Sequence, residues 1–174
     1  MAKTDKTLDL ERRLWFATNK TGVFGCFEVT IGFRGRERVD YLTYDTKGVW
    51  RCYEIKVSKE DFYSESKITF VGNYNYFVMP DELYEIVQAD IPSHIGVHNG
   101  SFCIKRPKKQ ELQVDEEILK YSLIRSLSRE NQKFILTGDQ YYINNLKNRI
   151  RMLEKNNLRL SKEYNNCFAN KTSL

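Results

Sequence analysis

Residues 38–56 read R-V-D-Y-L-T-Y-D-T-K-G-V-W-R-C-Y-E-I-K. β-Branched and aromatic residues dominate two runs, Val39 to Tyr44 and Val49 to Val57, and the turn-forming residues Asp45 to Gly48 separate them. This pattern predicts two strands joined by a tight turn. We therefore interpret the stretch as a β-hairpin and place the rest of the chain around it.

The hairpin brings three chemically active side chains together. Side chains alternate across a strand, so Glu54 and Lys56 are expected to project from the same face. Folding the chain about Lys47 places Asp40 opposite Glu54, where cross-strand Cβ atoms lie roughly 5 Å apart. Two carboxylates and an ammonium group would then converge on one spot.

This trio suits a metal-dependent reaction on a phosphodiester. Two facing carboxylates form a hard oxygen site for Mg²⁺, which is often held together with waters and substrate phosphate. The ammonium of Lys56 could orient a water or balance charge in the transition state. The alternative is an ordinary exposed strand face with a Glu54–Lys56 surface pair.

A longer ordered set of motifs surrounds the trio. It consists of F-E-V-T-I-G (27–32), R-V-D-Y-L (38–42), Y-E-I-K (53–56), K-E-D-F (59–62), a lysine at 67, Y-F-V-M-P (76–80) and I-P-S-H-I-G-V (91–97). This set, from about Leu8 to Val97, resembles the PD-(D/E)XK nuclease superfamily. Within that superfamily it is most similar to the MmcB-like, VRR-NUC-type nucleases and their small phage relatives. One departure is that Val39, rather than proline, precedes Asp40.

The resemblance implies a restriction-endonuclease-like core and hydrolysis of DNA with Mg²⁺ or Mn²⁺ as cofactor. Asp40 and Glu54 would bind the metal, and Lys56 would position or activate the water. In the superfamily an acid on the first helix or first strand often completes the site. Glu28 matches the closer family better than Glu11 does, so it is the predicted third metal ligand.

Basic side chains around the site are candidates for nucleic-acid contacts. Arg34, Arg36 and Arg38 fall in a turn that could approach a phosphate backbone, or could simply be solvated. Lys59 and Lys67 fall on the helix predicted after the hairpin, with Ser58 as its cap. On that helix, Asp61 is expected to have a structural role.

The order of predicted elements indicates an α/β or α+β fold with an αβββαβ core and a mixed sheet. The predicted spans are a helix capped by Thr7 or Asp9 and ending near Thr18, strands 26–33, 39–44 and 49–57, a helix 59–67, a strand 74–79, a helix 80–88, a strand 94–97, a turn at Asn99-Gly100 and a returning segment 101–105. We expect three parts: a nuclease-like domain (1–105), a linker with an amphipathic helix (106–138) and a C-terminal helix (139–174).

Composition and charge set further limits. The chain has 174 residues, of which 41% are hydrophobic, and its four cysteines are scattered without zinc-binding spacing. With no long apolar run or leader, we expect a cytoplasmic protein with reduced thiols rather than a secreted or membrane one. Residues 105–174 carry 15 of the 28 Lys and Arg residues but 8 of the 23 Asp and Glu residues. This basic excess fits contact with DNA phosphates, and equally fits solubility.

The tail shows a seven-residue repeat. Ile143, Ile150, Asn157 and Tyr164 are seven apart, and Leu146, Leu153, Leu160 and Cys167 follow each by three. Ile at position a and Leu at position d favour a parallel two-stranded coiled coil, in which one Asn at a specifies register. We predict a homodimer through this helix. The alternative is that the stripe packs on the core or on the helix predicted at 115–136.

Two other functions remain compatible with these residues. The fold could keep DNA affinity or a protein-interaction surface without catalysis, or the chain could be a dimeric adaptor or phage regulatory protein that acts through its coiled coil. DNA and RNA substrates, and endo- and exonucleolytic cleavage, are all compatible with these residues.

Overall fold

The computed structural model describes residues 3–33, 35, 37–64 and 68–171, with side chains up to residue 164. Its contacts divide the chain into two compact units, Met1–Ser128 and Arg129–Leu174. The first unit contains a six-stranded sheet with helices, and the second is helical. No helix in this described part is both long and apolar enough to cross a membrane.

The six strands lie in the sheet in the same order as in the chain. They are β1 (Val23–Thr30), β2 (Arg38–Asp45), β3 (Trp50–Ile55), β4 (Tyr74–Val78), β5 (Gly96–His98) and β6 (Cys103–Lys105). β1, β2 and β3 pair antiparallel, β3, β4 and β5 pair parallel, and β6 pairs antiparallel with β5. The sheet is therefore mixed, and the predicted α+β class is confirmed.

The β2–β3 hairpin has the predicted register. Tyr41 pairs with Tyr53, and Tyr44 pairs with Trp50, so the ladder is centred on Lys47. The Asp45 side chain accepts hydrogen bonds from the backbone N–H of Lys47 and of Val49. Gly48 adopts a φ of 78°, a left-handed conformation that costs glycine little. Local turn chemistry thus sets the pairing of the two strands.

The described residues form five α-helices. They are α1 (Asp5–Thr18), α2 (Lys59–Phe62), α3 (Asp81–Val87), α4 (Glu116–Gly138) and α5 (Gln140–Lys171), with a 3₁₀ turn at Gln88–Asp90. The first helix starts earlier than predicted because the Thr4 hydroxyl accepts from the Thr7 N–H. The predicted cap Ser58 does begin α2, but this helix spans four residues rather than continuing to Lys67.

Helices cover both faces of the sheet. Cys52 packs in a core cluster with Leu119 of α4, whereas its neighbour Tyr53 packs in another cluster with Leu10 of α1. Because successive strand residues face opposite sides, α1 and the first half of α4 lie on opposite faces. A third cluster forms around α3, with Leu83 as a member.

The first compact unit extends past the predicted boundary at residue 105 and ends at Ser128. Leu119 is 0% exposed and Leu123 is 4% exposed, and both belong to the core cluster that contains Trp50. The indole Nε1 of Trp50 donates to Glu116, and Arg125 donates to the carbonyl oxygen of Gly32. The first three turns of α4 therefore complete the sheet domain.

Candidate functional site

An open cavity of about 670 Å³ lies at the end of β3. It is lined by Lys3, Thr7, Glu11, Glu28, Thr30, Gly35, Arg38, Asp40, Glu54, Ile55, Lys56 and Asp61. All three predicted catalytic side chains are in this set, as are both candidates for an additional acid. The structure thus gathers residues from α1, β1, β2, β3 and α2 into one place.

Asp40 and Glu54 face each other across the hairpin. The β2–β3 ladder ends at the Tyr41–Tyr53 pair, and the side chains of Asp40 and Glu54 interact one position beyond it. The Asp40 Oδ2 atom also accepts a hydrogen bond of 2.8 Å from the backbone N–H of Ile55. This bond anchors one carboxylate to the strand that carries the other.

Glu54 is in an unusual electrostatic state. Glu54 is 6% exposed. Burial and the negative charge of Asp40 together raise the pKa of the Glu54 carboxyl from 4.5 to about 9. Lys56 and the backbone N–H of Thr69 act in the opposite direction but do not compensate. The Oε1 atom of Glu54 is buried and has no hydrogen-bond partner among the described residues. At neutral pH, without a cation, this carboxyl is protonated.

Lys56 is held by the start of α2. Its ammonium donates to the carbonyl oxygen of Asp61 at 3.0 Å and lies 3.6 Å from the Asp61 Oδ1 atom. Asp61 in turn accepts from the Val57 N–H through Oδ2, while its own N–H donates to Ser58 Oγ. Asp61 therefore has the structural role that was predicted, and it positions Lys56 at the cavity wall.

In β1 and β2, side chains stop alternating between the two faces of the sheet near Glu28 and Asp40. Cys26 and Val29 are three positions apart yet pack in the same core cluster, and so do Val39 and Leu42. Strict alternation would place each pair on opposite faces. Glu28, between the first two, has a φ of 53°, which is left-handed backbone for a residue with a side chain. This local break leaves Glu28 at the cavity instead of in the core.

A lysine that sequence reasoning missed bridges the two remaining acids. The ammonium of Lys3 lies 2.6 Å from Glu11 Oε1 and 2.8 Å from Glu28 Oε1. Partial burial works against its charge, but the hydrogen bonds to both acids leave the pKa of Lys3 raised. Arg38 lies 3.8 Å from the other oxygen of Glu28. No sequence signal marks Lys3, because it precedes every motif and reaches the site only through the fold.

Glu28, the predicted third metal ligand, lines the same cavity as Asp40 and Glu54. Over residues 3–33, 35, 37–64 and 68–171, no three His, Cys, Asp or Glu side chains are grouped so that they could hold a metal ion. Asp40 and Glu54 form a close pair, whereas the Glu28 carboxylate is paired with Lys3 and Arg38. The side chains present offer two facing carboxylates, with a third acid in the same cavity that is neutralised by cations.

Two of the predicted DNA-contacting residues have described positions. Arg38 lines the cavity with 58% of its side chain exposed. Lys59 is exposed at the start of α2 and lines an adjacent groove with Arg13 of α1. Arg34, Arg36 and Lys67 lie outside the described residues.

Comparisons with known proteins show a likeness in fold and none in function. No family model matches the sequence, and no curated protein matches it. Among solved structures, a protein of unknown function from Silicibacter pomeroyi matches with a TM-score of 0.61 and 16% sequence identity. The match covers 79% of this chain and 94% of the other. At this level of identity, the likeness shows a shared fold alone.

Proposed function

We propose that this chain is a divalent-metal-dependent nuclease of the PD-(D/E)XK type, similar to the MmcB-like enzymes, and that it hydrolyses DNA phosphodiester bonds. The observation that carries the proposal is the meeting of Asp40, Glu54 and Lys56 in one open cavity. The two carboxylates come from paired strands, and the lysine lies on the same face as Glu54. A solvated strand face would not need a carboxyl group buried against another carboxyl group.

The two carboxylates fit a divalent cation. Glu54 has an orphaned buried oxygen and a pKa raised to about 9, so its charged form lacks compensation. A cation between Glu54 and Asp40 would supply that compensation, and Mg²⁺ is often held by two carboxylates with waters and substrate phosphate. When bound, such an ion polarises the phosphoryl oxygen and lowers the pKa of a coordinated water.

The remaining residues of the cavity have separable roles in this proposal. Lys56, held by Asp61, orients the attacking water or balances the charge that develops on the phosphate. Arg38 is exposed at the rim and contacts a phosphate of the substrate. Glu28 and Glu11 are bridged by Lys3, so they leave the cation to Asp40 and Glu54.

The architecture supports a restriction-endonuclease-like core. An antiparallel β1–β2–β3 unit is followed by parallel pairing of β3 with β4, and helices cover both faces. The proposed catalytic residues lie at the end of β3, where the strand leads into α2. This is the element order implied by the resemblance found in the sequence.

Cleavage of supercoiled plasmid DNA with Mg²⁺ or Mn²⁺ tests the proposal. Asp40→Asn and Lys56→Met should each reduce nicking by roughly 10²–10³-fold, since each removes a group that acts in the transition state. Glu117→Gln is the matched control, because this α4 side chain is 80% exposed and lies outside the cavity. Branched, single-stranded and RNA substrates should be tested in parallel.

A non-catalytic DNA-binding protein would give a different result. The wild-type chain would then bind DNA, and no metal or substrate would produce cleavage. Residual cleavage that is equal in the wild type, Asp40→Asn and Lys56→Met would likewise reject the proposed site.

A further inference from the structure

The helix α5 carries a stripe of exposed apolar side chains. Leu146 is 43% exposed, Ile150 is 54% exposed, and Leu153 and Leu160 are each 55% exposed. These residues lie on one side of a helix of 32 residues. An apolar stripe of this length favours burial against another helix.

The spacing of the stripe specifies the kind of partner. Its members repeat every seven residues from Ile143 to Tyr164 without an insertion, which imposes a left-handed supercoil. Ile at a and Leu at d favour two strands over three or four. A second copy of this chain carries the same repeat over the same length, so its α5 matches the stripe along the whole helix.

The position of Asn157 selects the alignment. Asn157 occupies an a position, and in a parallel pair a positions face each other. In register, Asn157 meets Asn157 of the second copy, and the two amides can form a hydrogen bond. In a shifted or antiparallel alignment, the amide would lie against Leu or Ile and remain unpaired, which is costly when buried.

The charges beside the stripe select the same alignment. Arg149 occupies a g position and Glu154 occupies the e position five residues later. In a parallel pair, a g residue faces the following e residue of the other helix. Arg149 of each copy therefore meets Glu154 of the other, so the ion pair occurs twice. An antiparallel pair would place g against g and e against e, and this complementarity would be lost.

We infer that α5 forms a parallel, in-register, two-stranded coiled coil with α5 of a second copy, aligned by Asn157 and by the Arg149–Glu154 pairs. The inference does not depend on the proposed nuclease activity. It makes the chain a symmetric homodimer whose two copies enter the coiled coil from the same end.

Charge exchange in the full-length chain tests both the dimer and its direction. Arg149→Glu alone and Glu154→Arg alone should each weaken dimerisation by roughly tenfold, because both ion pairs become repulsive. The double variant should restore the wild-type dissociation constant, as measured by sedimentation velocity. Circular dichroism shows whether each variant keeps its helix content.

Mixing the two single variants provides the decisive measurement. A chain with Arg149→Glu and a chain with Glu154→Arg would pair through two attractive contacts, so differently tagged copies should form heterodimers in preference to either homodimer. A monomeric wild type overturns the inference. Failure of the double variant to recover, or the absence of heterodimer preference, overturns the parallel register.

Discussion

Asp40 meets Glu54 one position beyond the last pair of the β2–β3 ladder, and its negative charge adds to burial in raising the pKa of Glu54 to about 9. The same Asp40 side chain accepts the N–H of Ile55, the residue that follows Glu54. Two acids that would repel each other in water are thus fixed together by backbone hydrogen bonding. This pairing has consequences for stability as well as for the proposed chemistry.

The stability of the protein without divalent cations should fall as pH rises. Between pH 4.5 and about 9, the folded state retains a proton on Glu54 that the unfolded chain has released. Stability therefore decreases with pH across this window and becomes insensitive to Glu54 above it. Glu54→Gln should give a flatter profile. Urea unfolding of both proteins in EDTA between pH 5 and 9 measures this, and parallel profiles would contradict the assigned proton.

Asp40→Asn should separate stability from activity. The amide oxygen can still accept the Ile55 N–H, while the charge that disfavours ionised Glu54 is removed. We expect stability at pH 10, where Glu54 is ionised in the folded state, to rise by on the order of 1 kcal/mol, the equivalent of about one pKa unit. Cleavage should be lost in the same variant. Thermal unfolding in EDTA provides the first readout, and a fall in stability would show that Asp40 serves mainly to support the fold.

Glu28 occupies strained backbone, and this can be measured with two substitutions. At a φ of 53°, a residue with a Cβ atom costs about 1–2 kcal/mol relative to glycine. Glu28→Ala and Glu28→Gly both remove the contact with Lys3. The difference between their free energies of unfolding therefore measures the backbone conformation rather than that contact. Glu28→Gly should be more stable than Glu28→Ala by about 1 kcal/mol. Equal stabilities in chemical denaturation would show that the left-handed conformation is not strained.

Removal of the Lys3 bridge should increase the affinity of the cavity for a divalent cation. In Lys3→Met, Glu11 and Glu28 lose their shared ammonium, and the negative charge facing Asp40 and Glu54 increases. Mn²⁺ should then bind more tightly in calorimetric titration. Lys6→Met, an exposed lysine of α1 outside the cavity lining, is the control. An equal effect of both variants would indicate general charge rather than a specific bridge.

The end of the sheet domain can be located by truncation. A fragment of residues 1–128 should fold cooperatively, whereas a fragment of residues 1–105 should not. The shorter fragment lacks buried Leu119 and Leu123, each of which contributes about 2–5 kcal/mol, against a total stability of about 5–15 kcal/mol. Circular dichroism during thermal unfolding distinguishes the two outcomes. A folded 1–105 fragment would restore the boundary predicted from the sequence.

The hairpin at the centre of the site was predictable because its determinants are local. The turn residues Asp45 and Gly48 set the register, and alternation along one strand places Glu54 and Lys56 on the same face. Ser58 could likewise be recognised as a helix cap. Each of these features depends on residues that are only a few positions apart.

What only the tertiary structure decided concerns residues that are distant in the sequence. Lys3 pairs with Glu28, and Leu119 packs in the same core cluster as Cys26. The alternation of side chains along β1 also breaks at Glu28. The pKa of Glu54 also depends on burial that no periodicity reveals. The sequence alone determined which side chains share a strand face, because strand geometry and turn chemistry belong to the local chain. Which charges are buried, neutralised or left without a partner depends on how remote segments pack, and only the folded chain brings those segments together.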